Sequence, residues 1–240
     1  MPGTFLTAEW RYLAMLNYRV SPSLLYPLVP PGTELDLFNG AAYISIVAFK
    51  FLHTRVLGIP IPFHVNFEEV NLRFYVRRAT KGDVRHGVTF IRELVPRAAI
   101  AGIAKVAYNE PYIALPMRSH IRESGTSDAP VHVEYEWSRL KGWAALRLTT
   151  EGRKQPLRPG SEEEFIAQHY WGYTTQKDGS TIEYEVRHPS WNVWKAQSAS
   201  IDVSGIDAFP PQFSEALSRP PDSAFLADGS AVAVYRPTPM

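Results

Sequence analysis

The chain contains no cysteine. That removes disulfide staples, thiolate nucleophiles and sulfur-ligated metals, and it sits comfortably with a reducing compartment. A basic stripe is missing too. The 25 Lys and Arg are scattered among 24 Asp and Glu for a net charge of +1, so the footprint that phosphate-backbone binding needs is not there, and nucleic acid is not an expected partner. No apolar run is long enough to span a bilayer: even AAYISIVAFKFL is interrupted by Lys50. The opening MPGTFLTAEWRYLAML meets charge before an apolar run develops and does not read as a signal peptide. These absences predict a soluble, cytoplasmic protein with no membrane partner.

Motif absences narrow the chemistry. The sequence has no G-x-S-x-G elbow, P-loop or dinucleotide glycine fingerprint, so no nucleotide or other cofactor is expected. Its seven histidines are dispersed without an H-E-x-x-H pattern, and His64 and Glu68, four apart on a strand, form no compact chelate. A metal centre is therefore not expected, except from ligands distant in sequence.

What is present is core-forming material and turn punctuation. With 45% hydrophobic and 12% aromatic residues in 240 positions, the chain can build one large domain over 1–240. No low-complexity linker or internal repeat divides it, and the 20 prolines and 15 glycines fall largely at joints between strands. Ser21-Pro22 predicts a short helix ending near Leu28. Asn39-Gly40 between ELDLF and AAYISIVAFKFLHTRV predicts a two-residue hairpin. A second hairpin is expected from 64–79 and 84–95 around Lys81-Gly82-Asp83, followed by a helix over 97–108. Strands follow at 112–122, 131–139 and 143–150. Ser161 with Glu164 forms a capping box that starts a helix through about His169. Strands resume at 180–187 and 192–203, PPQFSEAL reads as a short helix, and Asp228-Gly229 predicts a last hairpin ending at Tyr235. The fold class is α+β, dominated by antiparallel sheet.

Alternation along a strand then selects candidate residues. Val70, Leu72, Phe74 and Val76 share one face, while Glu69, Asn71, Arg73 and Arg77 share the other. That second face is either a solvated surface with Glu69 and Arg73 as a weak ion pair, or the wall of a polar cavity. Adjacent Glu68 and Glu69 point to opposite faces, so they cannot serve one site as a glycosidase-type pair. The Ile44–Leu52 strand is apolar on both faces, as expected for a strand covered on both sides. Lys50 lies within it and reads as a strand-end lysine reaching water, with a desolvated nucleophile as the alternative. Lys105 falls off the buried stripe of its helix and reads as a cation favoured by the helix dipole. The HYWGY cluster at 169–173 reads as core, with ligand stacking as the alternative.

Together, FLTAEWRYLAMLNYRV, VPPGTELD, NFEEVNLRFYV, IREL, AYNEPYIALPM and GSEEEFIAQHYWGYT resemble the uncharacterised conserved YqjF-like proteins, grouped in the acetoacetate decarboxylase-like superfamily. The resemblance implies a closed, cone-like or barrel-like sheet with a few short helices and a small-molecule cavity inside. It matches Arg11 in EWRYL to the decarboxylase's substrate-facing arginine, a group suited to bidentate pairing with a carboxylate. It matches Glu69, or Glu68 if the register slips, to the decarboxylase's acidic strand residue. The decarboxylase carries two lysines after a proline, one of which forms the Schiff base and is a well-known case of an amine activated by a depressed pKa. Here the positions after Pro111 hold Tyr112 and Ile113, and neither forms an imine.

The expected function is binding of a small, carboxylate-bearing molecule in an internal cavity, with Arg11, Glu69, Arg73 and Tyr112 as ligand contacts and no Schiff-base decarboxylation. The alternative is a non-covalent acid/base enzyme of lyase or hydrolase type, acting on a keto acid or related carbonyl compound with Glu69 and Tyr112 as its catalytic pair. A homo-oligomer is compatible with either.

Overall fold

A computed structural model of the protein describes residues 3–96, 109–123, 125–126, 129–139 and 142–240. The helix expected over 97–108, and Lys105 with it, lies outside the described residues. In chain order the strands are β1 (Thr4–Val20), β2 (Glu34–Leu35), β3 (Ala42–Val56), β4 (Ile59–Pro60), β5 (Phe67–Thr80), β6 (Asp83–Val95), β7 (Tyr112–Ala114) and β8 (Met117–Arg122). They continue with β9 (His132–Arg139), β10 (Gly142–Pro156), β11 (Trp171–Thr175), β12 (Thr181–Arg187), β13 (Asn192–Ile201), β14 (Ser223–Tyr235) and β15 (Thr238–Pro239). The described helices are short: α1 (Glu162–Ala167), α2 (Val203–Ile206) and α3 (Ser214–Leu217). Among the described residues no helix is long and apolar enough to cross a membrane.

One continuous sheet orders its strands β15-β12-β11-β6-β5-β3-β1-β14-β13-β10-β9-β8, and β12 pairs also with β14. The second pairing bends the path from β12 through β5 to β14 back on itself, giving the cone-like, closed antiparallel architecture. Closure is irregular. The β12–β14 join is only Val186↔Val234 and Arg187↔Ala233, and β11 meets β6 in parallel at two positions. The remaining strands β13, β10, β9 and β8 wrap across the outer face of the ring.

This arrangement explains why β3 is apolar on both faces. Ile44, Ile46 and Ala48 join Val70, Leu72, Phe74 and Val76 in a core shared with Tyr135, Trp137 and Leu146 of the outer layer. Tyr43, Val47, Phe49 and Phe51 face inward, with Leu13, Met15, Phe67 and Tyr75. A strand buried on both sides has no solvated register, so a polar residue on the inner face must be paired or used.

Local signals are met unevenly. Ser161 caps α1 by accepting a bond from the Glu164 amide at 3.1 Å, although the helix stops at Ala167 rather than His169. Asn39 and Gly40 form the expected tight turn, with φ of 49° and 78° and a bridge between Phe38 and Ala41. Its upstream arm does not pair with β3, however: β2 joins β5 through Leu35↔Val76. The segment before Leu28 forms two 3₁₀ turns. The run 112–122 is split, because Pro116 lacks the N–H a ladder needs and separates β7 from β8. Asp228-Gly229 is no hairpin. β14 runs through it, with Gly229 opposite Arg11 of β1.

Candidate functional site

Inside the ring lies a cavity of about 150 Å³, room for a molecule near the size of a substituted aromatic ring. Much of its wall is aromatic. Phe51 stacks on Phe67 at 4.6 Å and 13°, Trp10 meets Phe49 edge-on at 5.3 Å, and His188 stacks on Trp191 at 4.0 Å and 12°. Burial pushes the His188 imidazole down to about 4, so it is neutral near pH 7.

The polar part of the wall is acidic. Glu69 comes from β5 and Glu93 from the neighbouring β6, where it stands opposite Asn71. Glu110 and Tyr112 arrive on the NEPY segment, and Tyr112 pairs in parallel with Glu93 as β7 begins. All four line the cavity, and the three carboxyls are buried, at 4%, 1% and 5% exposure for Glu69, Glu93 and Glu110. Asn71 Nδ2 donates to Glu69 Oε1 at 2.9 Å, the Tyr184 hydroxyl donates to Glu110, and Thr174 Oγ1 reaches the same Glu110 oxygen at 3.5 Å.

Three carboxyls in one desolvated place cannot all ionise cheaply. Burial, against the bonds from Asn71 and Tyr112, pushes Glu69 up to about 7. Burial, tempered by the Tyr184 bond and reinforced by Glu69, pushes Glu110 up to about 8. Burial, then the Glu110 and Glu69 charges, carries Glu93 well above its ordinary value. Burial and the same three carboxyls raise the Tyr112 hydroxyl well above its ordinary value. Near neutral pH the cluster therefore holds protons that exposed glutamates would have released, and its members can donate as well as accept hydrogen bonds.

The expected residues do not all meet here. Glu69, Arg73 and Tyr112 line the cavity. Glu68 faces the other way and accepts a bond from Ser119 Oγ at 2.8 Å, as strand alternation requires. Arg11 is not in the cavity wall. Its guanidinium pairs with Glu9 at 2.7 Å and donates to the Gly229 carbonyl at 3.2 Å. Alternation carried back from Leu13 and Met15 would bring Arg11 inside. The register shift between Arg11 and Ala14, with Tyr12 at φ 55°, reverses it, so Trp10 takes the inner face instead. Lys50 sits opposite Glu68 on the outer-core side of β3. No lysine is among the described residues lining the cavity.

Sequence reasoning does not reach Glu93, Glu110 or Tyr184. The β5–β6 hairpin changes register between Leu72 and Arg73; in the register of Arg73↔Phe90, Glu93 would oppose Val70 in the outer core. A glutamate forced onto that face is the signal that a bulge intervenes. Glu110 reads in the sequence as part of a helix stop, and only the parallel pairing of β7 with β6 brings it inward. HYWGY divides: Tyr173 is core, while His169, Trp171 and Gly172 line the cavity.

Several cavity-lining side chains hold a buried polar atom that has no hydrogen-bond partner among the described residues: Trp10 Nε1, Thr54 Oγ1, Asn71 Oδ1, Arg73 Nε and Glu93 Oε2. Such atoms are uncommon in folded proteins. Among the described residues six of the twelve such atoms, His169 Nδ1 included, belong to side chains that line this cavity.

Comparison with known proteins agrees with this architecture. A protein YqjF from Bacillus subtilis, itself described as uncharacterised, is 28% identical over 198 residues, covering 81% of this chain and 76% of that one. The enduracididine biosynthesis enzyme MppR, in a structure complexed with pyruvate, superposes with a TM-score of 0.65 at 13% identity, covering 100% of this chain and 91% of that chain. Acetoacetate decarboxylase from Legionella pneumophila superposes at 0.62 with 14% identity, covering 100% and 87%. At identities this low the superpositions show a shared fold alone. The family model DUF2071, described as an uncharacterised conserved protein, matches residues 7–231, and the chain belongs to that family.

Proposed function

We propose that the protein binds a small, carboxylate-bearing molecule with an apolar or aromatic body in the ring cavity, without Schiff-base chemistry. The observation that carries this is the set of partnerless polar atoms on its wall. Arg73 Nε and Trp10 Nε1 among them donate only, and Arg73 takes the anchoring role that the resemblance implies for Arg11. Its Nη2 is already fixed by the Ile166 carbonyl at 3.0 Å, so little side-chain entropy remains to be lost when a carboxylate binds. The aromatic wall would hold the body of the ligand, and Glu69, Glu93, Glu110 and Tyr112 would meet its other polar end.

A panel of small aromatic carboxylic and 2-keto acids, screened by thermal shift and calorimetry, should contain a stabilising ligand. Arg73→Met should weaken that ligand about tenfold or more, the loss of one charge-assisted contact. Equal affinity in the variant, or equal affinity for an amide analogue lacking the carboxylate, would remove Arg73 as the anchor.

A second reading, a non-covalent acid/base enzyme acting on a keto acid, is favoured by the two carboxyls at about 7 and about 8. Values that straddle neutrality suit one group to give a proton while the other takes one. Turnover of a keto acid that disappears in Glu69→Gln while ligand affinity survives would establish it. Under both readings, borohydride reduction in the presence of pyruvate or acetoacetate should leave the intact mass unchanged. A stable adduct would overturn the claim that the protein lacks imine chemistry.

A further inference from the structure

A second cluster lies beside the cavity, built from residues far apart in sequence. Asp36 follows β2 and is held to β5 by its amide, which donates to the Tyr75 carbonyl at 3.0 Å. His86 is on β6, opposite Arg77 of β5. His169 lies just past the end of α1 and is buried, with 2% of its side chain exposed. His86 Nδ1 is 2.5 Å and His169 Nε2 is 3.2 Å from the same oxygen, Asp36 Oδ2. Donor atoms of all three residues lie within 4.8 Å of one another. The two imidazole planes are perpendicular, at 89° with centroids 5.8 Å apart, so their nitrogens approach the carboxylate oxygen from different directions.

We propose that Asp36, His86 and His169 form a binding site for a divalent transition-metal ion of the zinc type. Two imidazoles and a carboxylate are a donor set that Zn²⁺ takes readily, and the chain has no thiolate to compete for it. A tetrahedral ion with bonds of about 2.0–2.1 Å holds its ligand atoms about 3.3 Å apart. The His169 and Asp36 atoms are already at that spacing. His86 must draw back from Asp36 by less than about 1 Å and settle at the same spacing from the His169 nitrogen, which lies within 4.8 Å of it; at 49% side-chain exposure its ring is free to swing. The same exposure gives the ion a way in and leaves a fourth position for water.

The surroundings also suit a cation. Of the nearby guanidinium groups, Arg77 pairs with Glu34 at 2.9 Å and Arg78 and Arg85 pair with Glu183 at 2.6 and 2.5 Å, while Arg73, whose charge also reaches His169, is held by the Ile166 carbonyl at 3.0 Å. Tyr75 and Phe165 rings pack against His169 at 4.8 and 5.0 Å, forming an apolar shell on the buried side. A bound ion would clamp β2, β6 and the segment after α1, and His169 is itself part of the cavity wall.

The test uses full-length protein stripped with a chelator and titrated with Zn²⁺ by calorimetry, with Co²⁺ absorption as the reporter of coordination. Wild type should bind a single ion per chain, gain thermal stability, and give Co²⁺ bands of low-symmetry coordination. His86→Ala is the informative variant, because a half-exposed strand residue can be truncated without unfolding the chain. It should weaken Zn²⁺ binding by about tenfold or more, the smallest loss expected for a disturbed metal ligand, and abolish the Co²⁺ bands. His169→Gln should do the same, while the remote surface variant His132→Ala should bind as wild type. Wild-type Zn²⁺ affinity in His86→Ala, with its melting curve intact, would overturn the proposal. So would the absence of Zn²⁺ binding by wild type in this titration.

Discussion

Gly229→Ala should destabilise the protein on the order of 3–5 kcal/mol, among the larger effects a single methyl group can produce. Gly229 has φ +79°, and a Cβ built there would lie 2.0 Å from the Trp10 carbonyl oxygen and 2.8 Å from Leu13 Cδ1. The left-handed backbone alone costs a non-glycine residue about 1–2 kcal/mol. The remainder comes from the oxygen contact, which involves rigid backbone and not the end of a flexible side chain. Relief would require β1 and β14 to separate at the point where β1 bulges around Tyr12, and it is β1 that carries Trp10 and Leu13 into the cavity. Urea denaturation would read the loss directly. A variant within about 0.5 kcal/mol of wild type, the range of an ordinary surface change, would show that the two strands slide apart at little cost.

Gly229 also shows where sequence reasoning reaches its limit. Asp-Gly is a strong hairpin signal because the glycine accepts positive φ; that conformation is present, but it serves a bulged crossing within a continuous strand. Local chemistry identifies the conformation correctly and cannot say which partner strand demands it. Asn39-Gly40, by contrast, turns as expected, since nothing but its own neighbours constrains it. The same division holds at the cavity. Alternation places Glu69 inside and Glu68 outside because β5 runs without a break from Phe67 to Arg73. The resemblance that matches Arg11 carries no sign of the bulge around Tyr12, and alternation cannot see Glu93, which a bulge in the β5–β6 pair separates from its reference residues. Glu110 and the Asp36–His86–His169 cluster depend on contacts between elements distant in sequence, which no spacing along the chain encodes.

Wild-type stability should fall as pH rises from about 5 to about 9, and Glu69→Gln should flatten part of that fall. The direction follows from folded-state values lying above the ordinary one: Glu69 moves from 4.5 to about 7 and Glu110 from 4.5 to about 8. Below the unfolded value both states are protonated and the groups contribute nothing. Between the unfolded and folded values the native state holds protons that the unfolded chain has released, so each unit of pH favours unfolding. Above the folded value the penalty is complete. A displacement of this size for Glu69 corresponds to on the order of 3 kcal/mol, shared among coupled carboxyls and so not additive with its neighbours. Glutamine keeps the shape of the neutral acid and cannot ionise. The variant should therefore match wild type near pH 5 and exceed it near pH 9 by about 2–3 kcal/mol. Parallel profiles for wild type and Glu69→Gln would mean that water or a counter-charge already solvates the cluster. The cavity would then lose its claim to functional carboxyls. If the profiles diverge as expected, the protein carries a standing cost in a cavity whose wall also holds the partnerless donors Arg73 Nε and Trp10 Nε1, and folding alone gives no reason to keep three acids there.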